Sequence, residues 1–166
     1  MKTLILIRHA KSDWSNPLLR DFDRPLNGRG MRDAPFMGEH LALQHIKPDC
    51  ILCSPALRTQ TTASVIAEKT GMEHSGIMSE EKLYLADADT LIEVLREQDS
   101  SLQTLALVGH NPGITDVVNR LGGVDIDNVP TCGIVIFRLN SETWKTLGQS
   151  PMELLSFDYP KKFSHS

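Results

Sequence analysis

Four short runs of mostly apolar residues, separated by segments with helical spacing, constrain the fold of this chain more than any other feature. The runs cover residues 3–7, 49–53, 104–108 and 133–139. Strands without polar alternation are typical of a sheet that is covered on both faces, as parallel sheets are. Weaker strand candidates lie near residues 76–79 and 153–157. The runs therefore predict an α/β protein, a three-layer α/β/α sandwich with a mostly parallel central sheet.

The segments between these runs carry helix start signals. The predicted starts are Asn27 as a cap, with Pro35 expected to kink that helix or delay its start, Ser54 as N-cap before Pro55, Thr90 with Glu93 as a capping box, and Pro112 in a first turn. The polar stretch 11–27 is predicted to be a loop at the rim of a site. The C-terminal residues 161–166, which include His165, are expected to fray.

Length and composition narrow the class of protein. The 166 residues predict a single domain, 1–166, that is long enough to bury a core. The net charge of −4 and the lack of a Lys/Arg run argue against nucleic acid as a partner. No segment approaches the roughly 20 apolar residues that cross a bilayer, so no membrane partner is expected. The N-terminus lacks a signal-peptide cleavage pattern, and a cytoplasmic protein is expected.

Three cysteines, Cys50, Cys53 and Cys132, are an odd and small number that fits a reducing compartment. Cys50 and Cys53 form a C-x-x-C pattern, but they lie in a predicted strand, where residues three apart point to opposite faces. A redox pair needs a helix N-terminus, and a zinc site needs a second ligand pair with suitable spacing. We therefore expect buried structural thiols, with no metal and no cofactor.

Two arginines and two histidines follow the predicted strands. Arg8 and His9 come at the end of the first run, and His110 follows the third run. Arg58 lies in the first turn of the helix that is predicted to start after the second run. Ligands of parallel sheets bind at the carboxyl ends of the strands, so these loops are expected to converge. Arginine holds phosphoryl oxygens in bidentate geometry, and a neutral histidine nitrogen can attack phosphorus. Each residue alone has an ordinary structural explanation, but their equivalent positions favour a phosphoryl-transfer site.

Three motifs that contain these residues resemble a known family. They are Ile7-Arg8-His9-Ala10, the segment 54–62 (Ser-Pro-Ala-Leu-Arg-Thr-Gln-Thr-Thr), and Val108-Gly109-His110-Asn111-Pro112. Together they resemble the histidine phosphatase superfamily, whose fold is phosphoglycerate mutase-like. The short chain and the segment 24–30 (Arg-Pro-Leu-Asn-x-x-Gly) are similar to the SixA-type phosphohistidine phosphatases of that superfamily.

The resemblance implies a role for each residue. His9 would be the nucleophile that carries the phosphoryl group as a covalent intermediate. Arg8 and Arg58 would bind the phosphoryl oxygens. His110 would donate a hydrogen bond to the phosphoryl group and stabilise its developing charge. Arginines and helix dipoles would supply the positive charge, so a metal would not be needed.

Departures from the mutase pattern concern the substrate side of the site. Mutase-type members have Glu-Ser-x-Trp-Asn where residues 11–15 read Lys-Ser-Asp-Trp-Ser, and Ala10 replaces a common glycine. Lys11 and Ser15 therefore disfavour mutase-like contacts to a sugar phosphate. Packing is as good an explanation for Trp14 as substrate contact. The candidates for phosphate binding or the substrate rim are Arg8, Arg58, Asn111, Ser15 and Trp14.

The general acid is left open among three carboxylates. Many members use a glutamate after the third strand, and Glu80 and Glu81 lie in the corresponding region, while Asp21 is another candidate. A solvated loop carboxylate is the alternative explanation for each. An imidazole leaving group has a reference pKa of about 6.5, against about 15.7 for water, so it needs less help from an acid than an alcohol does. The weak acid signature favours phosphohistidine as the substrate.

Three hypotheses follow for the function. The leading one is a phosphatase, a hydrolase that removes phosphate from protein phosphohistidine, such as that of a phosphorelay or phosphotransfer domain. The second is a small-molecule phosphomonoesterase or a phosphoglycerate mutase-type enzyme. The third is a phosphate-binding adaptor without turnover, which is disfavoured because binding alone needs no nucleophilic histidine. The expected partner is a phosphohistidine-bearing protein or a small phosphorylated substrate.

Overall fold

The computed structural model describes residues 1–163, which contain a six-stranded sheet in the order β3-β2-β4-β1-β5-β6. The strands are β1 (Lys2–Arg8), β2 (Cys50–Cys53), β3 (Ile77–Ser79), β4 (Thr104–Gly109), β5 (Ile134–Leu139) and β6 (Glu153–Asp158). The first four strands pair in parallel, and β5 and β6 pair antiparallel at one side. The mostly parallel sheet is confirmed, and each predicted strand lies within one residue of its expected ends.

Helices cover both faces of the sheet, so the three-layer α/β/α architecture is confirmed. They are α1 (Gly28–Leu43), α2 (Leu57–Thr70), α3 (Ala88–Arg96) and α4 (Gly113–Gly122). Because side chains alternate along a strand, Ile5 and Ile7 of β1 pack in the cluster with α1 and α2. Leu4 and Leu6 pack on the other face, in the cluster with α3 and α4. Burial on both faces explains why β1 is a continuous apolar run.

The carboxyl ends of β1, β2 and β4 lie side by side at one edge of the sheet. Backbone hydrogen bonds continue the sheet pattern past these ends: the N–H of His9 donates to the Gly109 carbonyl, and the N–H of Ser54 donates to the Val108 carbonyl. The three loops that carry the candidate residues therefore start from adjacent positions. The predicted convergence of these loops follows directly from the strand order.

Two predicted helix starts hold and one helix runs through its proline. The Asn27 side chain accepts from the N–H of Gly30 at 2.9 Å and caps α1, as predicted. Pro35 lies inside α1, so the predicted delay of that helix to Pro35 is wrong. Pro112 directly precedes Gly113, the first residue of α4, within one position of the prediction.

The predicted starts of α2 and α3 are wrong by two or three residues. α2 begins at Leu57, after Pro55, because the Ser54 hydroxyl is held by the ring of His110. α3 begins at Ala88, because the Asp87 carboxylate accepts from the N–H of Thr90 at 2.9 Å and so provides an earlier cap.

The cysteines have the expected placement. Cys50 packs on the α3 and α4 face, and Cys53 packs on the opposite face. All three cysteines are free and buried. Burial raises the pKa of Cys53 and of Cys132 to about 12, so both thiols stay protonated and unreactive at neutral pH.

The C-terminal segment is ordered as far as the structure describes it. Pro160–Phe163 forms a 3-10 turn, and the Phe163 ring packs 4.6 Å from the His40 ring. Lys162 donates to the Phe157 carbonyl and to Asp158. The prediction of fraying is therefore wrong for residues 161–163, because these contacts tie them down. Residues 164–166, with His165, lie outside the described residues. Between residues 1 and 163, no helix has both the length and the apolar character needed to cross a membrane.

Candidate active site

The ring of His9 has a defined tautomer. Its Nδ1 lies 2.7 Å from the carbonyl oxygen of Ala10. A carbonyl oxygen only accepts, so Nδ1 carries the proton and donates it, and Nε2 keeps its lone pair. Burial lowers the pKa of His9 to about 4; the Ala10 carbonyl opposes this, and the charges of Arg58 and Arg8 add to it. His9 is therefore neutral at pH 7, in the state that a nucleophile requires.

His110 lies beside His9, with the two ring centroids 5.4 Å apart. Nη2 of Arg58 lies 3.2 Å from Nδ1 of His110. Arginine only donates, so Nδ1 accepts, and the ring proton is on Nε2, which donates to the Ser54 hydroxyl at 2.7 Å. Burial lowers the pKa of His110 to about 3, and the charge of Arg58 acts in the same direction. The predicted donation by His110 to a phosphoryl oxygen needs a proton on Nδ1, which a bound dianion would favour.

Arg58 is held by three acceptors from two other segments. Its Nη1 donates to the Asp21 carbonyl at 2.7 Å, and its Nη2 donates to Oδ2 of Asp21 at 2.9 Å as well as to His110. The side chain of Arg58 is only 4% exposed, whereas that of Asp21 is 35% exposed. The hydroxyl of Tyr84 donates to the same Asp21 oxygen at 2.6 Å. A buried cation is thus fixed by a carboxylate that reaches solvent.

Arg8 is held differently and keeps part of its guanidinium free. Its Nη1 donates to the carbonyl of Val129 at 3.1 Å. Its Nε is buried and has no hydrogen-bond partner within residues 1–163. Its Nη2 also makes no hydrogen bond among these residues and, unlike Nε, it is not buried, so it is the nitrogen that can reach an anion beside His9. Arg8 is therefore the stronger candidate for first contact with a phosphoryl oxygen.

The loop between β1 and α1 is organised by Arg24. This buried side chain donates to the carbonyls of Asn16 and Leu19 at 3.1 and 3.0 Å. Its guanidinium carbon also lies 4.0 Å from the centroid of the Trp14 ring. Trp14 is 59% exposed even so. The polar stretch predicted as a rim loop is thus held from inside by this arginine, in addition to backbone hydrogen bonds between residues 11–13 and 25–27.

Two predicted rim residues have other partners in this arrangement. The Asn111 side chain accepts from both the N–H and the hydroxyl of Thr115, and it donates to Asn128 and Val129. Asn111 therefore ties the start of α4 to a neighbouring loop, and its contact with phosphate stays a prediction. Ser15 is exposed, and its N–H donates to Asp13. Trp14 donates to the Ser12 hydroxyl at 3.0 Å, and its contact with a substrate stays a prediction.

The three candidate carboxylates for general acid lie in different surroundings. Asp21 contacts Arg58, whereas Glu80 accepts from the N–H of Lys82 and caps a 3-10 turn. Glu81 is exposed at the start of that turn. Partial burial raises the pKa of Asp21, but the hydrogen bonds from Tyr84 and Arg58 outweigh it and lower the pKa below its usual value. A carboxyl group with a lowered pKa is ionised at pH 7 and cannot serve as a proton donor.

Sequence reasoning did not place three residues in the site that hold these groups in position. Ser54 was expected only to cap a helix, yet it hydrogen-bonds His110. Thr62 accepts from the N–H of Ala10 at 3.0 Å and donates to the Arg58 carbonyl at 2.8 Å, which joins two of the loops. Tyr84 reaches Asp21 from the loop after β3. The position of Ser54 and Thr62 inside the second motif was the available signal for those two residues. Tyr84 lies outside all three motifs, and only the tertiary structure shows its partner.

Comparison with known proteins agrees with this geometry. A family model of the histidine phosphatase superfamily (branch 1) matches residues 4–82. An uncharacterized protein of Mycobacterium leprae is 30% identical over 171 residues, which cover 93% of this chain and 100% of that protein. A structure described as the phosphohistidine phosphatase SixA of Agrobacterium tumefaciens has a TM-score of 0.82 at 28% identity, over 96% of this chain and 98% of that one. A mycobacterial glucosyl-3-phosphoglycerate phosphatase shares the fold, with a TM-score of 0.70 at 15% identity, over 96% of this chain and 100% of that one.

A neutral histidine between two arginines, at the carboxyl edge of a mostly parallel sheet, is the arrangement of a phosphoryl-transfer protein. The chain belongs to the histidine phosphatase superfamily, and its fold is the phosphoglycerate mutase-like one that the SixA proteins share. The resemblance identified from the three motifs is thereby confirmed. Membership supports phosphatase activity, while the substrate is a separate question.

Proposed function

We propose that this protein hydrolyses protein phosphohistidine through a covalent phosphoryl intermediate on Nε2 of His9. The observation that carries the covalent step is the 2.7 Å hydrogen bond from Nδ1 of His9 to the Ala10 carbonyl. It directs the lone pair of Nε2 away from the backbone, and the lowered pKa of His9 keeps that nitrogen unprotonated. Arg8 and Arg58, whose charges both act on His9, would balance the charge of the transferred group.

The surroundings of the site favour a protein as the substrate. Four exposed apolar side chains lie on the segments that carry the site residues, and we call them the apolar rim: Trp14, Leu18, Leu57 and Leu85. Leu57 adjoins Arg58 and Leu85 adjoins Tyr84 along the chain, while the other two lie on the loop that Arg24 organises. A sugar phosphate is recognised by polar groups that match its hydroxyls, whereas exposed apolar side chains around a site suit a protein surface. The rim therefore supports a phosphohistidine-bearing domain over a small ester.

The proposed substrate can be tested with a panel. We expect rapid release of phosphate from a phosphorylated histidine phosphotransfer domain, and slow turnover of 3-phosphoglycerate and sugar phosphates. In parallel, His9→Ala should release no phosphate from any of them. Rapid turnover of a sugar phosphate, with none of the phosphorylated domain, would instead support the small-molecule phosphomonoesterase or mutase-type alternative. The fold shared with a glucosyl-3-phosphoglycerate phosphatase keeps that alternative in the panel.

The apolar rim provides an independent test of docking. Leu18→Asp and Leu85→Asp should lower kcat/KM for the phosphorylated domain, mainly through KM, and leave turnover of p-nitrophenyl phosphate unchanged. Leu43→Asp is the matched control, because Leu43 is 80% exposed and ends α1 on the side away from the site. Equal behaviour of the three variants on the phosphorylated domain would contradict a docking role for the rim. The cytoplasmic location, and the lack of a cofactor, also stay predictions.

A further inference from the structure

Asp21 and Tyr84 form a pair whose geometry goes beyond holding Arg58. Both hydrogen bonds to the Asp21 carboxylate, from Tyr84 at 2.6 Å and from Arg58 at 2.9 Å, fall on Oδ2. Among the described residues, Oδ1 takes no hydrogen bond, and the side chain is 35% exposed. The carboxylate thus has one oxygen fixed by the protein and one oxygen open to a ligand at the edge of the site.

Tyr84 is itself held rigidly. Its ring stands edge-on to the ring of His110, with the centroids 5.6 Å apart, and edge-on to the ring of Phe22 at 5.3 Å. These contacts fix the direction of the hydroxyl, and therefore the orientation of the Asp21 carboxylate. The loop that carries Tyr84 is fixed in turn by α4, since a Cβ on Gly113 would lie 2.1 Å from the Ala86 carbonyl oxygen.

We propose that Oδ1 of Asp21 accepts a hydrogen bond from the second ring nitrogen of a phosphorylated imidazole, and that Tyr84 is the residue that positions it. This inference rests on the proposed function and names how the site recognises its leaving group. It assigns Asp21 a part different from that of a general acid. Oδ1 of Asp21 is open, has a fixed orientation and lies next to Arg58, which would bind the phosphoryl group. The second ring nitrogen of the leaving group would therefore lie close to this oxygen.

The chemistry of a phosphorylated imidazole makes such an acceptor useful. When the ring is protonated on its second nitrogen, it is a cation with phosphorus on the first nitrogen. Nε2 of His9 forms the new bond to phosphorus, the old P–N bond breaks, and its electron pair goes to the departing nitrogen. The product is a neutral imidazole that keeps the proton on its second nitrogen, so no proton has to reach the departing atom. A carboxylate at the second nitrogen stabilises the cationic substrate that reacts.

A hydrogen bond to Oδ1 of Asp21 does not help the hydrolysis of an alkyl phosphate ester. An alkoxide leaves with the electron pair on oxygen and needs a proton at that oxygen. An ionised Asp21 has no proton to give, and an ester has no second ring nitrogen for it to bind. The pair would therefore select a phosphorylated imidazole over an ester, which is a discrimination that the two arginines alone cannot make.

The test compares Asp21→Asn, Tyr84→Phe and the control Asp23→Asn. Asp23 lies in the same 3-10 turn but pairs with the exposed Arg20. The probes are N-phosphorylated imidazole, a phosphorylated histidine phosphotransfer domain and p-nitrophenyl phosphate, whose phenolate leaves without a proton. Asp21→Asn weakens the hold on Arg58 for every probe, so turnover of p-nitrophenyl phosphate should also fall, whereas Asp23→Asn should behave as wild type. Loss of the charged hydrogen bond to the leaving group should lower kcat/KM for the other two probes by a further factor of about 10 to 100. Tyr84→Phe should show the same selectivity with a smaller loss.

A pH profile separates recognition from a purely structural role. The charged and titratable groups that face Asp21 are His9, Arg58, Tyr84 and His110. They are the same for every probe. In Asp21→Asn the alkaline limb of kcat should move to lower pH for phosphorylated imidazole, because the bound protonated substrate has lost its anionic partner, and it should not move for p-nitrophenyl phosphate.

The outcomes distinguish this inference from the proposed function. Equal losses on all three probes, with an unmoved alkaline limb, would mean that Asp21 only holds Arg58. Wild-type rates of Asp21→Asn on phosphorylated imidazole and on the phosphorylated domain would mean that Asp21 does not bind the leaving group. Either result overturns the inference alone. A wild type that hydrolyses p-nitrophenyl phosphate but neither phosphorylated imidazole nor the phosphorylated domain would overturn the proposed function and the inference together. Circular dichroism of each variant checks that it is folded.

Discussion

The hydroxyl of Ser54 and Nε2 of His110 are joined by a buried hydrogen bond of 2.7 Å, although one residue follows β2 and the other follows β4. This bond fixes the tautomer of His110 and leaves Nδ1 facing Arg58. A second bond, from His9 to the Ala10 carbonyl, fixes the other histidine. The site thus has two neutral imidazoles with assigned protons, each oriented by a neighbour.

Ser54→Ala should weaken catalysis without unfolding the protein. His110 would lose its Nε2 partner, so we expect a fall in kcat of about 10-fold with little change in KM, and a loss of about 1 kcal/mol in the free energy of unfolding. The measurements are steady-state kinetics and urea denaturation. Ser64→Ala, at a half-buried position in α2, is the control and should behave as wild type. A Ser54→Ala enzyme with unchanged kcat would contradict the orienting role.

His9→Ala should abolish turnover by removing the nucleophile. We expect a loss of at least about 10³-fold in kcat, since removal of a covalent nucleophile costs that much or more in other enzymes. Acid quenching during turnover should trap a phosphorylated protein for wild type and none for the variant. A variant with full activity would eliminate the covalent mechanism, and a trapped phosphoryl group on another residue would reassign it.

The pH dependence of stability should report the two neutral histidines. In the unfolded chain a histidine has a pKa of about 6.5, whereas the folded values are about 4 for His9 and about 3 for His110. Between these values the unfolded state binds more protons, so the free energy of unfolding falls as pH decreases below 6.5. The slope is at most about 1.4 kcal/mol per pH unit for each histidine, and neither contributes a slope above pH 7.5.

Urea denaturation between pH 4.5 and pH 7.5 measures this slope. The double variant His9→Asn/His110→Asn should have a flatter profile than wild type across that window, because the other titrating groups are shared. Parallel profiles for the two proteins would show that the histidines titrate normally in the fold.

Arg24→Lys should loosen the loop between β1 and α1. Lysine keeps the charge but cannot reach the carbonyls of Asn16 and Leu19 with two nitrogens of one planar group. We expect a loss of about 1–3 kcal/mol in stability and faster proteolytic cleavage within residues 11–23. The exposed Arg32→Lys is the control. Identical cleavage patterns for both variants would show that the loop is held by something else.

Gly113→Ala should disturb the contact between α4 and the loop that carries Tyr84. The added Cβ would lie 2.1 Å from the Ala86 carbonyl oxygen, a clash that the backbone must move to relieve. We expect a loss of about 1–3 kcal/mol or more in the free energy of unfolding, together with lower activity. In Gly28→Ala, the control at the start of α1, the new Cβ would meet only the flexible Arg32 side chain at 3.7 Å. Equal stability of the two variants would contradict the close approach.

The strands and the sheet edge could be predicted because their causes are local in sequence. Continuous apolar runs such as β1 predict strands that are buried on both faces, and the observed ends of these strands lie within one residue of the predicted ends. Helix starts were less predictable. The Ser54 start of α2 failed because a residue with good capping chemistry is used by His110 instead, and a competition of that kind is decided by tertiary contacts.

The sequence by itself determined that Arg8, His9, Arg58 and His110 follow buried strands, and that parallel strands bring such ends to one edge. Only the tertiary structure decided their chemical states. Which nitrogen of His9 carries the proton, and which carboxylate meets Arg58, depend on partners from loops far apart in the chain. The physical reason is that hydrogen bonds and burial are set by distances of a few ångströms, whereas sequence patterns specify only the element on which a residue lies.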